Sequence, residues 1–220
     1  MIDRAPIENP LQHSCERQER LLKEKRDALG EDHLDTLAAM LDLADCWWAQ
    51  GRLIAARRLE EQVVEGRRRQ LGEQHADTLK AIGKLAVTLA AQGNLAEARR
   101  LQEQVVAGRR SLFGEADLET LRAINNLAGT IASQGDLAAA RDLLDAVVAT
   151  SCREFGEQHP DSLTAMSNLA AILWREGDRG EAYALQQQIV EMRCRARGED
   201  DAAAQAAMAV LEMMERDTGY

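Results

Sequence analysis

Ten of the 15 glycines of this sequence fall into two series, and both series repeat with a spacing of 42 residues. The first series begins at Gly30, and each of its members is followed by glutamate, while the second begins at Gly51. Two alanine series, beginning at Ala44 and Ala56, keep the same spacing. Self-similarity at a fixed period indicates a repeat protein, whose units stack on their neighbours and share a continuous core.

Each 42-residue unit predicts a pair of helices, called A and B below. In the A helix, apolar residues recur at intervals of three and four, which is the pattern of an amphipathic helix. The second unit shows this stripe as Ile82, Leu85, Ala86 and Leu89. The B helix of the same unit carries Leu101, Val105 and Val106. Gly93 should end the A helix, because glycine adopts the left-handed turn easily.

An acidic residue followed by Thr or Ser marks the expected start of each A helix. Side-chain oxygens at such a position accept hydrogen bonds from the free N–H groups of the first helical turn. We therefore expect N-capping by the following pairs: Asp35-Thr36, Asp77-Thr78, Glu119-Thr120 and Asp161-Ser162.

The repeats predict an all-α fold, an α-solenoid of antiparallel helix pairs with no strand. Complete repeats should cover residues 30–71, 72–113, 114–155 and 156–197. Residues 1–10 are predicted to form an N-terminal tail, with Asn9 capping a helix that Pro10 begins. Residues 11–29 match a B helix alone, and residues 198–220 match an A helix alone. Both ends are interpreted as caps with one polar face, and a fragment of a longer array is the alternative.

The acidic composition limits the partners of the chain. The sequence has 37 acidic and 27 basic residues and a net charge of −10, so it lacks the basic surplus that generic nucleic-acid binding requires. It contains no apolar run long enough to cross a membrane, and its N-terminus has no signal-peptide core. We therefore predict a cytoplasmic protein that binds neither nucleic acid nor a membrane.

The four cysteines are Cys15, Cys46, Cys152 and Cys194, and none of them forms a C-x-x-C pair. They are expected to be reduced thiols that are packed or half-packed against neighbouring residues. Cys152 and Cys194 occupy equivalent positions of adjacent repeats. Roughly 8–10 Å should therefore separate them, which is too far for a disulfide.

The helix pairs resemble the tetratricopeptide repeat (TPR), although their period is longer than the usual unit. The segment from Gly156 to Leu163, followed by Ser167 to Ala170, is similar to the kinesin-light-chain subtype. The third repeat keeps that subtype's Asn125-Asn126, whereas the first two repeats have Leu41-Asp42 and Gly83-Lys84. The resemblance implies a right-handed superhelix with a concave groove lined by A helices. It does not carry over a role in motor transport, because no heptad segment for binding a heavy chain is visible.

No group of residues in the sequence matches a catalytic or metal-binding pattern. His33, His75 and His159 recur at one point of three loops, but neighbouring repeats stand roughly 10 Å apart. Zinc requires ligand atoms at about 2.0–2.1 Å, so these histidines are expected to cap helices or pack loops. We predict that the chain is not an enzyme and that it uses no metal or cofactor.

The face of each A helix opposite its apolar stripe carries cations, amides and tryptophans. If a groove exists as the resemblance implies, it is lined by Lys80, Lys84, Arg122, Asn125, Asn126, Asn168, Arg175, Trp48 and Trp174. Leu41 and Asp45 fall on the same face of the first A helix. Lys and Arg pair with carboxylates, Asn amides can hold a peptide backbone, and Trp can bury a ligand side chain. We therefore predict a scaffold or adaptor that binds an acidic extended segment of a protein or peptide partner. The alternative is an ordinary solvated surface.

Self-association through the last helix is a second functional hypothesis. There, no following helix should cover Met208, Leu211, Met213 and Met214. Methionine is flexible and suits adaptable interfaces. This hypothesis predicts a homodimer that forms through residues 198–220.

Overall fold

Helices account for the whole regular structure of the described chain. The computed structural model describes residues 10–218, which form ten helices and no strand. In chain order these are α1 Pro10–Leu29, α2 Leu34–Ala49, α3 Leu53–Leu71, α4 Ala76–Ala91, α5 Leu95–Phe113, α6 Leu118–Ser133, α7 Leu137–Phe155, α8 Pro160–Glu176, α9 Arg179–Arg197 and α10 Ala202–Thr218. The predicted all-α fold is confirmed, while Asn9, the expected first cap, lies outside the described residues.

The helices group into two compact units, Met1–Gly108 and Arg109–Tyr220. In the first unit, α1 packs on α2, α2 on α3, and α3 on α4. In the second unit, each helix from α6 to α10 packs on the next, and α6 also contacts α8. The even-numbered helices are the A helices and the odd-numbered helices are the B helices. Consecutive helix pairs thus bury their apolar stripes against one another.

Small residues allow the helices to approach closely. Ala44, Ala86 and Ala128, from one alanine series, have no exposed surface. A glycine has the same role in α3, because a Cβ at Gly66 would lie only 2.8 Å from the side chain of Leu37. The predicted end of α4 is also observed, since Gly93 adopts a φ of 82°.

Histidine caps three of the A helices, which confirms one of the two roles expected of these residues, whereas the expectation that the acidic pairs form the caps is wrong for these helices. The Nδ1 atoms of His33, His75 and His159 each accept a hydrogen bond from the N–H group two residues later, at 3.1–3.2 Å. Asp117 fills the same position before α6, where its Oδ2 accepts from the Thr120 N–H at 2.9 Å. The prediction therefore placed the caps too late in the chain. The hydroxyl residues of the predicted pairs are fully buried instead: Thr36, Thr78, Thr120 and Ser162.

A disulfide joins Cys15 of α1 to Cys46 of α2, with Cα atoms 5.5 Å apart. The prediction of four reduced thiols is therefore wrong for this pair. The repeat register places the two cysteines on adjoining helices, but it does not reveal that their side chains face each other. Cys152 and Cys194 are free, as their spacing predicts.

Candidate functional site

Two asparagines connect neighbouring A helices in the second unit. Asn168 of α8 donates a hydrogen bond from Nδ2 to Oδ1 of Asn125 on α6, over 3.0 Å. Both side chains are half-buried, whereas Asn126 is exposed. Each amide has two N–H donors and an acceptor oxygen, so this contact uses only part of its capacity. Two of the three predicted asparagines therefore lie together, and their amides keep unused donor and acceptor capacity.

Arg122 lies about one helical turn before these amides and is held by two carboxylates. Its Nε and Nη2 donate to the two oxygens of Asp161 at 2.6 and 2.9 Å, and its Nη1 donates to Glu119. Hydrogen bonding to Asp161 raises the pKa of Arg122, and the guanidinium lowers the pKa of Asp161. The site therefore places one guanidinium between the side chains of Asp161 and Glu119.

The predicted residues at the end of α8 also interact within the protein. Arg175 donates from Nη2 to the carbonyl oxygen of Ala132 at 2.9 Å. The guanidinium of Arg179 lies 5.1 Å from the centroid of the Trp174 ring. A cation at this distance is attracted by the ring face. Arg175 and Trp174 are therefore partly engaged before any ligand binds.

A cleft of about 200 Å³ lies between α6 and α8, next to the amides. We call it the α6–α8 cleft, and its lining includes Arg122, Asn125, Val147, Ser151, Asp161 and Thr164. Val147 and Ser151 belong to α7 and are buried, so they form the floor of the cleft. The cleft thus combines a small apolar base with charged and amide walls.

The A helices of the first unit carry a lysine–aspartate pair. The Nζ of Lys84 on α4 donates to Oδ2 of Asp45 on α2 at 2.6 Å. Lys80 is exposed, and Trp48 keeps 43% of its surface exposed. Leu41, which was expected on this face, is only 4% exposed. The apolar stripe of α2 is therefore wider than helical geometry predicted.

A buried glutamate lies within the electrostatic reach of this pair. Glu60 of α3 is 2% exposed, and its Oε1 accepts a hydrogen bond from the Thr88 hydroxyl at 2.9 Å. Its Oε2 has no hydrogen-bond partner among the described residues. Burial raises the pKa of Glu60, the charge of Asp45 adds to this effect, and Thr88 and Lys84 oppose it.

Replacing Glu60 with glutamine should remove a pH dependence of stability. The folded protein keeps this pKa above about 4.3, the ordinary value for glutamate, so the folded state holds the proton more tightly than the unfolded state. The free energy of unfolding of the wild type should therefore fall as the pH rises from the unfolded pKa through the folded pKa. Glutamine occupies the equivalent positions Gln18, Gln102 and Gln186, so the variant should fold.

Urea unfolding at a series of pH values measures this slope. Glu60→Gln should flatten it, and the exposed control Glu65→Gln should keep it. A Glu60→Gln variant with the slope of the wild type would show that the buried carboxyl is not its source.

The last helix is better covered than its sequence suggests. Met214 is 2% exposed, and Met208 and Leu211 are half-buried. The expectation that all four apolar residues lack a cover is wrong for Met214, because α10 packs on α9. Val210 and Met213 keep 40% and 47% of their surface exposed.

Neither membrane insertion nor a metal site is supported by the described helices. None of them is both long and apolar enough to span a bilayer. Within residues 10–218, no group of three or more His, Cys, Asp or Glu side chains is arranged to hold a metal ion. The polar side chains at the α6–α8 cleft include amides, a guanidinium group and a carboxylate.

Sequence reasoning identified the cations and amides but missed their carboxylate partners. Both ion pairs, Lys84 with Asp45 and Arg122 with Asp161, join residues 39 positions apart. Stacked A helices bring residues about one period apart side by side. The 39-residue separation could therefore have indicated both ion pairs from the sequence. Ser151 was missed as well. The residues at its equivalent positions in the other repeats are basic: Arg67, Arg109 and Arg193.

The tetratricopeptide repeat family matches most of the chain. One of its models matches residues 36–77 and 78–119, and another matches residues 119–195. A comparison with curated protein sequences gave no match.

Several solved structures are similar to this chain. A protein of Podosopora anserina, described as a kinesin light chain with nearly identical TPR-like repeats, is 28% identical, with a TM-score of 0.68 over 85% of this chain and 89% of that chain. BtubC (BKLC) from P. vanneervenii is 18% identical, with a TM-score of 0.75 over 96% and 85% of the two chains. A Rap protein complexed with Competence and Sporulation Factor is 14% identical, with a TM-score of 0.70 over 93% and 60%. The last two show likeness of fold alone.

Proposed function

Since this chain belongs to the tetratricopeptide repeat family, in its kinesin-light-chain-like type, we propose that it is a scaffold or adaptor that binds an extended segment of another protein. Repeat solenoids present extended surfaces for such binding. The observation that carries the proposal is the Asn125–Asn168 hydrogen bond, which joins two A helices beside Arg122. The complex of the Rap protein, a neighbour in fold, with Competence and Sporulation Factor is consistent with it.

The amides are suited to hold the backbone of the segment. An extended backbone presents N–H and C=O groups alternately, and an asparagine can satisfy both kinds. Asn125 and Asn168 orient each other before the ligand arrives, which reduces the ordering cost of binding. Exposed Asn126 would add a further contact. Trp48 in the first unit and Trp174 in the second would pack against apolar side chains of a ligand.

We propose further that the bound segment is acidic. Arg122 and Arg175 of the second unit, and Lys80 and Lys84 of the first, are the cations that would pair with its carboxylates. Arg122 and Lys84 already pair with carboxylates, so a ligand would have to exchange with them. Asp45 is exposed and Asp161 is half-buried, and replacing one carboxylate by another at the same cation adds little net energy. The cations would then set the encounter rate and specificity, and affinity should fall as salt is added.

Reversing the charge of Lys84 and Arg122 together should abolish the binding of an acidic partner. Both side chains lie outside the apolar core, but each new glutamate would face a former partner carboxylate, Asp45 or Asp161, so circular dichroism must first show that the variant is folded. Calorimetry would compare a partner captured by the wild type with Lys84→Glu/Arg122→Glu. Lys23→Glu/Arg153→Glu is the matched control, because it makes the same charge change at exposed positions of B helices. Unchanged affinity in the first variant would place the binding surface elsewhere.

The exposed side chains of α10 favour a second function, self-association. Val210 and Met213 lie three residues apart, so they share one face of the helix. If they form an interface, Met213→Glu should weaken a homodimer in sedimentation velocity experiments. A wild type that stays monomeric at high concentration would remove this function.

A cytoplasmic location remains a proposal drawn from the sequence. Disulfides are rare in the reducing cytosol of mesophilic organisms. The Cys15–Cys46 bond would therefore need either an oxidising compartment or a transient redox role.

A further inference from the structure

One column of basic side chains runs through the B helices and is interrupted once. At the 42-residue spacing it contains Lys25, Arg67, Arg109, Ser151 and Arg193. These residues belong to α1, α3, α5, α7 and α9 in that order, so α7 is the B helix that carries serine instead of a cation.

In other repeats, the basic side chain spans the space between its own helix and the next A helix. Arg67 donates from Nη1 to the carbonyl oxygen of Asp77 at 2.8 Å, and Arg193 donates to the equivalent carbonyl of Ala203 at 2.9 Å. Arg67 and Arg109 are buried, at 7% and 8% exposure. A long side chain with a guanidinium at its end is therefore the usual filling of this space.

At α7 the corresponding space is the α6–α8 cleft. The hydroxyl of Ser151 donates to the carbonyl of Val148 on its own helix at 3.2 Å, so it does not extend into the cleft. Val147 and Ala165 contribute apolar lining that would suit the methylene groups of a long side chain. Asp161 stands at the position of Asp77, whose carbonyl accepts the bond from the internal arginine of its repeat.

The polar groups at the cleft can accept hydrogen bonds from a guanidinium. Arg122 and Asp161 are the charged residues of its lining, and the two oxygens of Asp161 accept from Arg122. Glu119 contacts both Arg122 and Arg109, so the charges of these four side chains balance. A carboxylate can accept more than two hydrogen bonds, and the planar fork of a second guanidinium can bond to the Asp161 carboxylate and a carbonyl together.

We propose that the α6–α8 cleft binds an arginine side chain of the partner segment, in the place of the internal arginine that Ser151 replaces. The stem of this arginine lies on Val147, and its guanidinium donates to the carbonyl and carboxylate of Asp161. This inference rests on the proposed function and adds one basic residue to the segment that the protein recognises.

The test uses the amide of N-acetylarginine as a probe, titrated into the isotope-labelled full chain and followed by NMR. We expect saturable shifts at Ser151, Asp161 and Thr164, with a Kd of about 1 mM, as suits so small a ligand. The amide of N-acetylcitrulline has a similar shape without the charge and should bind at least about tenfold more weakly. No saturable shifts with the arginine probe, or equal binding of the two probes, would overturn the proposal.

Ser151→Arg provides the decisive variant, because it should fill the cleft as Arg67 and Arg193 fill theirs. It should abolish the shifts, while Ala149→Arg, which adds the same charge at an exposed position of α7, should keep them. Should Ser151→Arg fail to fold, Ser151→Leu fills the cleft without a charge and should likewise abolish binding. If the probe still binds to a folded variant whose cleft is filled, the proposed arginine site is refuted.

A captured partner segment separates this inference from the proposed function. If the segment loses affinity for Ser151→Arg, both stand. If it binds Ser151→Arg as it binds the wild type but is lost from Asn125→Ala/Asn168→Ala, the amide surface is used and the arginine pocket is refuted.

Discussion

Replacing Cys46 with serine is expected to lower the free energy of unfolding by about 2–4 kcal/mol. The disulfide links residues 31 positions apart in the chain, so its loss returns conformational freedom to the unfolded state. Unfolding of the variant should begin at α1, because Cys15 and Leu22 are the buried apolar side chains among the described residues of this helix. Without the bond, α1 is held on α2 by the packing of Leu22 and by polar contacts such as the hydrogen bond from Trp47 Nε1 to Glu19 at 3.3 Å.

Urea unfolding with and without a reductant measures the contribution of the bond. Reductant should lower the free energy of unfolding of the wild type to that of Cys46→Ser. It should leave the free energy of unfolding of the variant unchanged. Cys194→Ser is the control, since Cys194 is free and its replacement should alter stability equally with or without reductant. If reductant does not change the free energy of unfolding of the wild type, the bond does not stabilise the fold.

Replacing Asn125 or Asn126 with alanine should weaken partner binding by about 1–3 kcal/mol each, if the amides are desolvated on binding. The reason is that a peptide backbone buried against alanine would lose a hydrogen-bond partner without regaining water. Asn168→Ala should act through the same contact, because Asn168 donates to Asn125. The effects of Asn125→Ala and Asn168→Ala should therefore not add independently in a double-mutant cycle.

Calorimetry with a captured partner measures these losses. Gln188→Ala is the matched control, since it removes an exposed amide from the B helix α9. The control should bind as the wild type does. Equal losses in the control and in the asparagine variants would mean that the amides have no specific role.

The fold was predictable because its signals are local and repeated. The glycine series that includes Gly93 marks the end of the A helix in each repeat. The alanine series that includes Ala128 marks the positions where helices approach closely. The helix starts were less predictable, because acidic and hydroxyl residues are usual caps and a histidine Nδ1 can take their place. Capping was one of the two roles predicted for His33, His75 and His159, and the structure confirms it, while the acidic residues predicted as caps lie two positions too late.

The site was predictable in its residue types but not in its pairings. Helical geometry placed Arg122 and Lys84 outside the apolar core, where the structure has them. Which carboxylate each cation meets depends on how one A helix stacks on the next, and that offset is not visible within a single helix. The Cys15–Cys46 bond escaped prediction for the same reason, since it depends on which faces of α1 and α2 meet.

Binding of an extended segment across the A helices α6 and α8 is the main proposal for this protein. Its most direct test is a photo-crosslinking amino acid introduced in place of Asn126, with the same amino acid in place of Ala149 on the B helix α7 as the control. Both positions are exposed, so the two variants should fold alike. We expect the partner to crosslink from position 126 and not from position 149. Crosslinks from position 149 with none from position 126 would contradict the claim.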